Sequence, residues 1–149
     1  MQLPFMPRRY LTRAQARQVK AAIAAAELGH RGEIQVFLEG RFPGDGPLSR
    51  ARQLFVELGL DKTREGTGVL LYAAIDDRRS AVWAGPGLYA TTAPDFWLEV
   101  TRLMAKGFGT GDLAGGLERA LAAIGKLLTE VAPGEDIHGN ELKNQVHER

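Results

Sequence analysis

Residues 66–87, GTGVLLYAAIDDRRSAVWAGPG, constrain the fold of this chain more than any other stretch. Val69 through Ile75 form an unbroken apolar run between glycines on one side and four charges on the other. A short run with those boundaries suits a strand buried on both faces. Asp76-Asp77-Arg78-Arg79 is too polar and too short for anything but a turn. Ser80-Ala81-Val82-Trp83-Ala84 is competent for a second strand, so the economical reading is a β-hairpin, although its turn lacks the glycine of the best two-residue turns. The hairpin puts two adjacent carboxylates at one end. Gly66-Thr67-Gly68 and Gly85-Pro86-Gly87 make a glycine-rich corner at the other.

The flanking segments supply the partners such a hairpin needs. Thr12, with Gln15 at capping-box spacing, starts a helix that runs to Leu28 and stops at Gly29. Residues 32–38 read as a strand with Ile34, Val36 and Leu38 on one face and Glu33, Gln35 and Phe37 on the other. Residues 39–48, EGRFPGDGPL, form a long loop. Ser49 then caps a second helix with Ala51, Leu54, Phe55 and Leu58 on its buried face, ending near Gly59. This βαβ unit predicts two parallel strands joined by a right-handed crossover. After the hairpin, a third helix begins around Pro94-Asp95 and ends at Lys106-Gly107. Its stripe is Phe96, Trp97, Val100, Leu103 and Met104. Thr110 or Asp112 caps a fourth helix, which runs to about Thr129. The fold class is therefore α/β: a three-layer α/β/α sandwich with a small mixed central sheet and about four helices. Residues 1–11 are an extended lead-in, 12–130 a single domain, and 131–149 a polar tail at best partly ordered against the surface.

Composition narrows the functional classes. The 149 residues suit one domain, and 44% hydrophobic with 25% charged residues is ordinary for a globular protein. A net charge of +1, with no basic stripe interleaved with aromatics, gives no reason to expect nucleic acid as a partner. The absence of cysteine excludes disulfides, thiolate metal sites and thiol catalysis. Three histidines, His30, His138 and His147, are too few for a His-rich metal site. No run approaches the ~18 apolar residues of a membrane span. The lead-in has no apolar core of a secretory signal, so a complete chain is expected in the cytoplasm.

Topology brings the acidic residues to one place. Parallel strands end on the same sheet edge, so Glu39 and Asp45 of the long loop share that edge with Asp76 and Asp77. The third helix starts at the opposite edge and climbs about 18 Å, which returns Asp112 to the carboxylates. Convergent carboxylates without His or Cys call for a hard cation, Ca²⁺ in preference to Mg²⁺. Asp76 and Asp77 equally suit a solvated turn with internal ion pairs, and Asp112 a helix cap. The glycine corner matches neither a P-loop nor a dinucleotide fingerprint, and turns that need positive φ explain it. Trp83 and Trp97 read as packing residues. His30, just past Gly29, suits a cationic capping role at a helix end.

Several of these residues together resemble the TPM domain family. They are Gly32-Glu33-Ile34-Gln35-Val36, residues 51–55, Gly68-Val69-Leu70-Leu71-Tyr72, Asp76-Asp77-Arg78, Gly85-Pro86-Gly87-Leu88, Phe108, Gly111-Asp112 and Gly115-Gly116-Leu117. Asp95-Phe96-Trp97 and Asn140-Glu141-Leu142 look like its short soluble bacterial branch. The resemblance spans approximately residues 12–130 and implies an α/β/α sandwich. It also implies either the acid phosphatase activity assigned to plant members, which serve photosystem repair, or the divalent-cation binding linked to bacterial ones. Asp76, Asp77 and Asp112 match the family's acidic positions. Thr67 and Pro86 depart from its pattern at the glycine corner. Three functions follow. The first in preference is a cation-binding module that docks a protein partner, with Asp76, Asp77, Asp112, Asp45 and Glu39 as metal ligands. The second is a metal-assisted hydrolase of small phosphate esters, with Asp76 or Asp77 as the catalytic candidate. The third is a purely structural interaction domain.

Overall fold

The computed structural model describes residues 8–134 and 146–149. Helix α1 (Arg13–Ala26) opens on the expected capping box, Thr12 and Gln15 each bonding the other's backbone N–H. Strand β1 (Glu33–Glu39) and strand β2 (Gly68–Ala74) are parallel, with Val36 opposite Leu71. Strand β3 (Arg79–Ala84) returns antiparallel to β2, completing the hairpin. Its turn lacks glycine, and Arg78 takes the left-handed conformation in its place (φ 52°).

The sheet divides two cores. Ile34, Val36, Leu38, Val69, Leu71, Ala73, Val82 and Ala84 face α1, α4 (Pro94–Thr110) and α5 (Leu113–Val131). Phe37, Leu70, Tyr72, Ala74 and Ala81 face α2 (Pro47–Glu57) through its Ala51, Leu54 and Phe55. The period of two along each strand is what sorts the residues between the layers. The architecture is the expected α/β/α sandwich with a mixed sheet.

Four details depart from the sequence reading. Helix α2 begins at Pro47 after Gly46, not at Ser49, because proline is preorganised for a first helical turn. A one-turn helix α3 (Pro86–Tyr89) follows β3 at the glycine corner. Helix α4 continues past Lys106-Gly107 to Thr110 and stops at Gly111 (φ 72°). Gly107 is no terminator there: a Cβ on it would sit 3.1 Å from the Gly116 Cα, so it lets α4 and α5 cross backbone to backbone. The tail is also more than a surface appendage. Val146–Glu148 forms strand β4, which pairs parallel with β1 and gives the order β3-β2-β1-β4. The expected features of residues 135–145 lie outside the described residues.

Candidate functional site

The ends of β1 and β2 bring Glu39, Asp76 and Asp77 to one edge of the sheet, as the topology predicts. The Ile75 N–H donates to the Glu39 carbonyl and the Asp76 N–H to that of Gly40, each at 2.8 Å, so the ends of β1 and β2 are stitched together. Glu39, Asp76, Asp77 and Asp112 each already have a basic or backbone partner. Asp76 accepts from Arg8 at 2.9 Å. Asp77 accepts the Phe42 N–H at 2.9 Å and has Arg41 at 3.5 Å. Glu39 is buried, held by Arg50 Nε and Nη2 at 2.8 and 3.1 Å and by the Tyr72 hydroxyl at 2.5 Å. Burial, then the bond to Glu39, pushes the Tyr72 phenol far above its usual pKa, so it stays a donor. Asp112 caps α5 by accepting the Gly115 N–H at 3.0 Å, which settles the Thr110-or-Asp112 alternative. Asp45 is exposed on the loop before α2. Among the described residues no three of His, Asp and Glu stand together in a set that could hold a metal ion. Ca²⁺ takes 6–8 oxygens, and this donor set, arginine-paired and spread out, does not assemble them as it stands.

The glycine corner is filled by its own backbone. A Cβ on Gly85 would lie 2.2 Å from the Gly66 carbonyl oxygen, and one on Gly87 2.5 Å from that of Glu65. Close backbone approach explains these glycines and leaves no cradle for phosphate. His30 is likewise structural, but not as a cation. Its Nε2–H donates to the Ala26 carbonyl, and its Nδ1 accepts the Gly32 N–H at 2.9 Å. One nitrogen must carry a proton and the other must not, so the ring is neutral. Burial, the larger effect, lowers its pKa accordingly.

A second feature, not anticipated from the sequence, lies along β3. An apolar groove of about 530 Å³ runs beside this strand, between the start of α2 and the flank of α4. Pro47 and Leu48 form one wall; Tyr89, Pro94, Trp97 and Leu98 form the other; Ser80, Ala81 and Val82 are the floor. Leu48, Tyr89 and Leu98 are exposed large apolar side chains, an arrangement that marks binding surfaces when contiguous. Tyr89 holds the aromatic wall together, with ring centroids 6.0 Å from Trp83 and 5.7 Å from Trp97. The two tryptophans do pack, as expected, but Trp97 also lines the groove. Two buried donors there, Trp97 Nε1 and Thr92 Oγ1, have no hydrogen-bond partner among the described residues. The only sequence signal for this wall was Leu98, an apolar residue outside the α4 stripe.

Among the described residues, a short mixed sheet with α1, α4 and α5 on one face and α2 on the other, joined through a parallel crossover and a hairpin, defines a small α/β/α sandwich class. Within it the chain belongs to the TPM domain family, whose family model matches residues 6–127. It is similar to the BA42 protein of the psychrophilic bacterium Bizionia argentinensis, with 28% identity and a TM-score of 0.84 over 93% of this chain and 95% of that one. Two further solved structures share the fold. The N-terminal domain of cg2496 from Corynebacterium glutamicum has a TM-score of 0.64 at 14% identity, covering 99% of this chain and 93% of that one. The N-terminal domain of a P. gingivalis protein has a TM-score of 0.69 at 22% identity, covering 84% and 82%. No curated protein matches the chain. Among the described residues no helix is long and apolar enough to cross a membrane.

Proposed function

We propose that this TPM domain is a binding module for a protein partner, which docks in the groove beside β3. The observation that carries this reading is the groove wall: Leu48, Tyr89 and Leu98 are exposed apolar side chains around Trp97, whose buried indole N–H has no partner among the described residues. A buried donor without an acceptor costs about 1–3 kcal/mol, and a partner that opens the wall and brings an acceptor to it removes that cost. Among the described residues the carboxylate edge shows no comparable buried unmet group: Glu39, Asp76 and Asp77 are held by Arg50, Arg8, Arg41 and the Phe42 N–H. The test is fluorescence of anilinonaphthalene sulfonate, a dye that reports open apolar surface, on the wild type and on Leu98→Lys. The reading expects enhancement with the wild type and its loss in the variant. Equal enhancement in both, or none in either, sinks it.

Cation binding is a second reading, favoured by Asp76 and Asp77 standing side by side on one turn, Asp76 with its side chain 37% exposed. A cation there competes with Arg8 and Arg41 for the carboxylates. Calcium at 100 times its Kd raises stability by about 2.7 kcal/mol. Thermal unfolding in EDTA and then in millimolar Ca²⁺ measures this, with Asp76→Asn/Asp77→Asn abolishing the shift. An unchanged midpoint in the wild type removes the cation, and with it the metal-assisted hydrolysis of phosphate esters at Asp76 or Asp77.

A further inference from the structure

We infer that the partner is engaged as an extended segment, which adds to β3 as a further strand of the sheet and seats apolar side chains in the groove. This deepens the groove reading above and rests on it. The backbone of β3 supplies the first argument. In an antiparallel pair, every second residue turns its N–H and C=O away from its neighbour. The Gly85 N–H donates to the Gly68 carbonyl at 2.9 Å, which sets the phase of the alternation. With Leu71 opposite Val82 and Ala73 opposite Ser80, the residues that turn outward are Ser80, Val82 and Ala84. The Ala84 N–H confirms the phase, since it leaves the sheet to bond the Tyr89 hydroxyl at 3.3 Å. Ser80 and Val82 therefore present main-chain donors and acceptors along the floor of the groove.

The second argument is where this edge lies. Among the described residues the other outer position is occupied by β4, so β1 is covered and β3 is the outer strand on its side. An outer strand with exposed main-chain groups is a template for another strand. Natural edges are blunted by charge, proline or a covering loop. Here Arg79 guards only the start of the strand, and its middle, Ala81 and Val82, is apolar.

The third argument is the walls. An added strand lies about 4.8 Å beyond β3, between the start of α2 and the flank of α4. Its alternate side chains then face Leu48 on one side and Tyr89, Trp97 and Leu98 on the other. Trp97 Nε1–H and Thr92 Oγ1–H are buried in the wall without acceptors among the described residues, and an extended chain that shifts these side chains brings a carbonyl every residue. A partner helix keeps its carbonyls for itself and leaves these donors, and those of β3, unsatisfied. The cavity between α1 and α5 has no such demand: Gln18 and Glu118 on its rim already bond each other at 2.8 Å. Strand addition of this kind draws affinity from main-chain bonds and specificity from pockets for alternate side chains.

The test takes the full chain, ¹⁵N-labelled, and a phage-displayed library of random twelve-residue peptides. Selection is expected to enrich peptides with apolar residues at every second position. Titration of the enriched peptide is expected to slow hydrogen exchange at the Ser80 and Val82 amides at least tenfold and to shift the Trp97 indole N–H. Trp97→Phe keeps the ring, loses the donor, and is expected to weaken that peptide about tenfold. Enrichment of peptides with helical spacing, unchanged exchange at Val82 with peptide bound, or no enrichment overturns strand addition. Concentration-dependent pairing of two copies of the chain through β3, seen by sedimentation, overturns the choice of a partner peptide. If the dye still fills the groove in these cases, the groove reading survives and only the strand fails. If the dye does not bind, both fail.

Discussion

Glu39 illustrates how a residue's chemistry is decided by its neighbours. It stands at the predicted edge, yet Arg50 and Tyr72 hold it in a buried network whose ionic side chains are about a tenth exposed or less. Breaking a buried pair by removing one partner costs about 3–5 kcal/mol. Glu39→Ala is expected to lose that much in urea unfolding, since Arg50 and Tyr72 are both orphaned; a loss below 1 kcal/mol contradicts the network. The histidines predict a pH dependence. Burial lowers the pKa of His30, and burial followed by Arg149 lowers that of His147. The unfolded chain thus binds protons that the folded one refuses. Stability is fully present above the unfolded value near 6.5 and is lost as pH falls from there through the depressed folded values. The loss has a limiting slope of about 1.4 kcal/mol per pH unit for each histidine. His30→Gln is expected to remove one proton from that slope, measured by urea unfolding between pH 7.5 and 5. A slope unchanged by the substitution contradicts the neutral His30.

At the scale of elements, what was legible in the sequence was whatever a short stretch decides alone. The β2–β3 hairpin came from an apolar run bounded by glycine and charge. The capping box came from Thr12 and Gln15, and the parallel crossover from element order. What was not legible depended on contacts between distant residues. Gly107 looks like a helix stop in one dimension and is a crossing point in three, because Gly116 meets it from α5. Gly116→Val is accordingly expected to cost about 1–3 kcal/mol by forcing α4 and α5 apart, read as a lowered urea midpoint. A neutral result contradicts the close crossing. Strand β4 was hidden for the same reason: a polar tail becomes a strand only because β1 offers it a free edge.

For the whole molecule, the candidate site was legible by position and not by state. Element order correctly placed Glu39, Asp76 and Asp77 at one edge, but which oxygen each arginine takes is a property of the assembled surface. The groove was less accessible still, since Leu48, Val82 and Leu98 come from three elements and become one surface only when β3 is the outer strand. The measurement that tests the central claim most directly is a ¹H–¹⁵N spectrum of the full chain titrated with anilinonaphthalene sulfonate, following the indole N–H of Trp97. A binding module with its groove beside β3 predicts that this resonance and the Val82 amide shift together and saturate together, while the Asp76 and Asp77 amides stay in place. Saturable shifts confined to the carboxylate turn, with Trp97 unmoved, would contradict it.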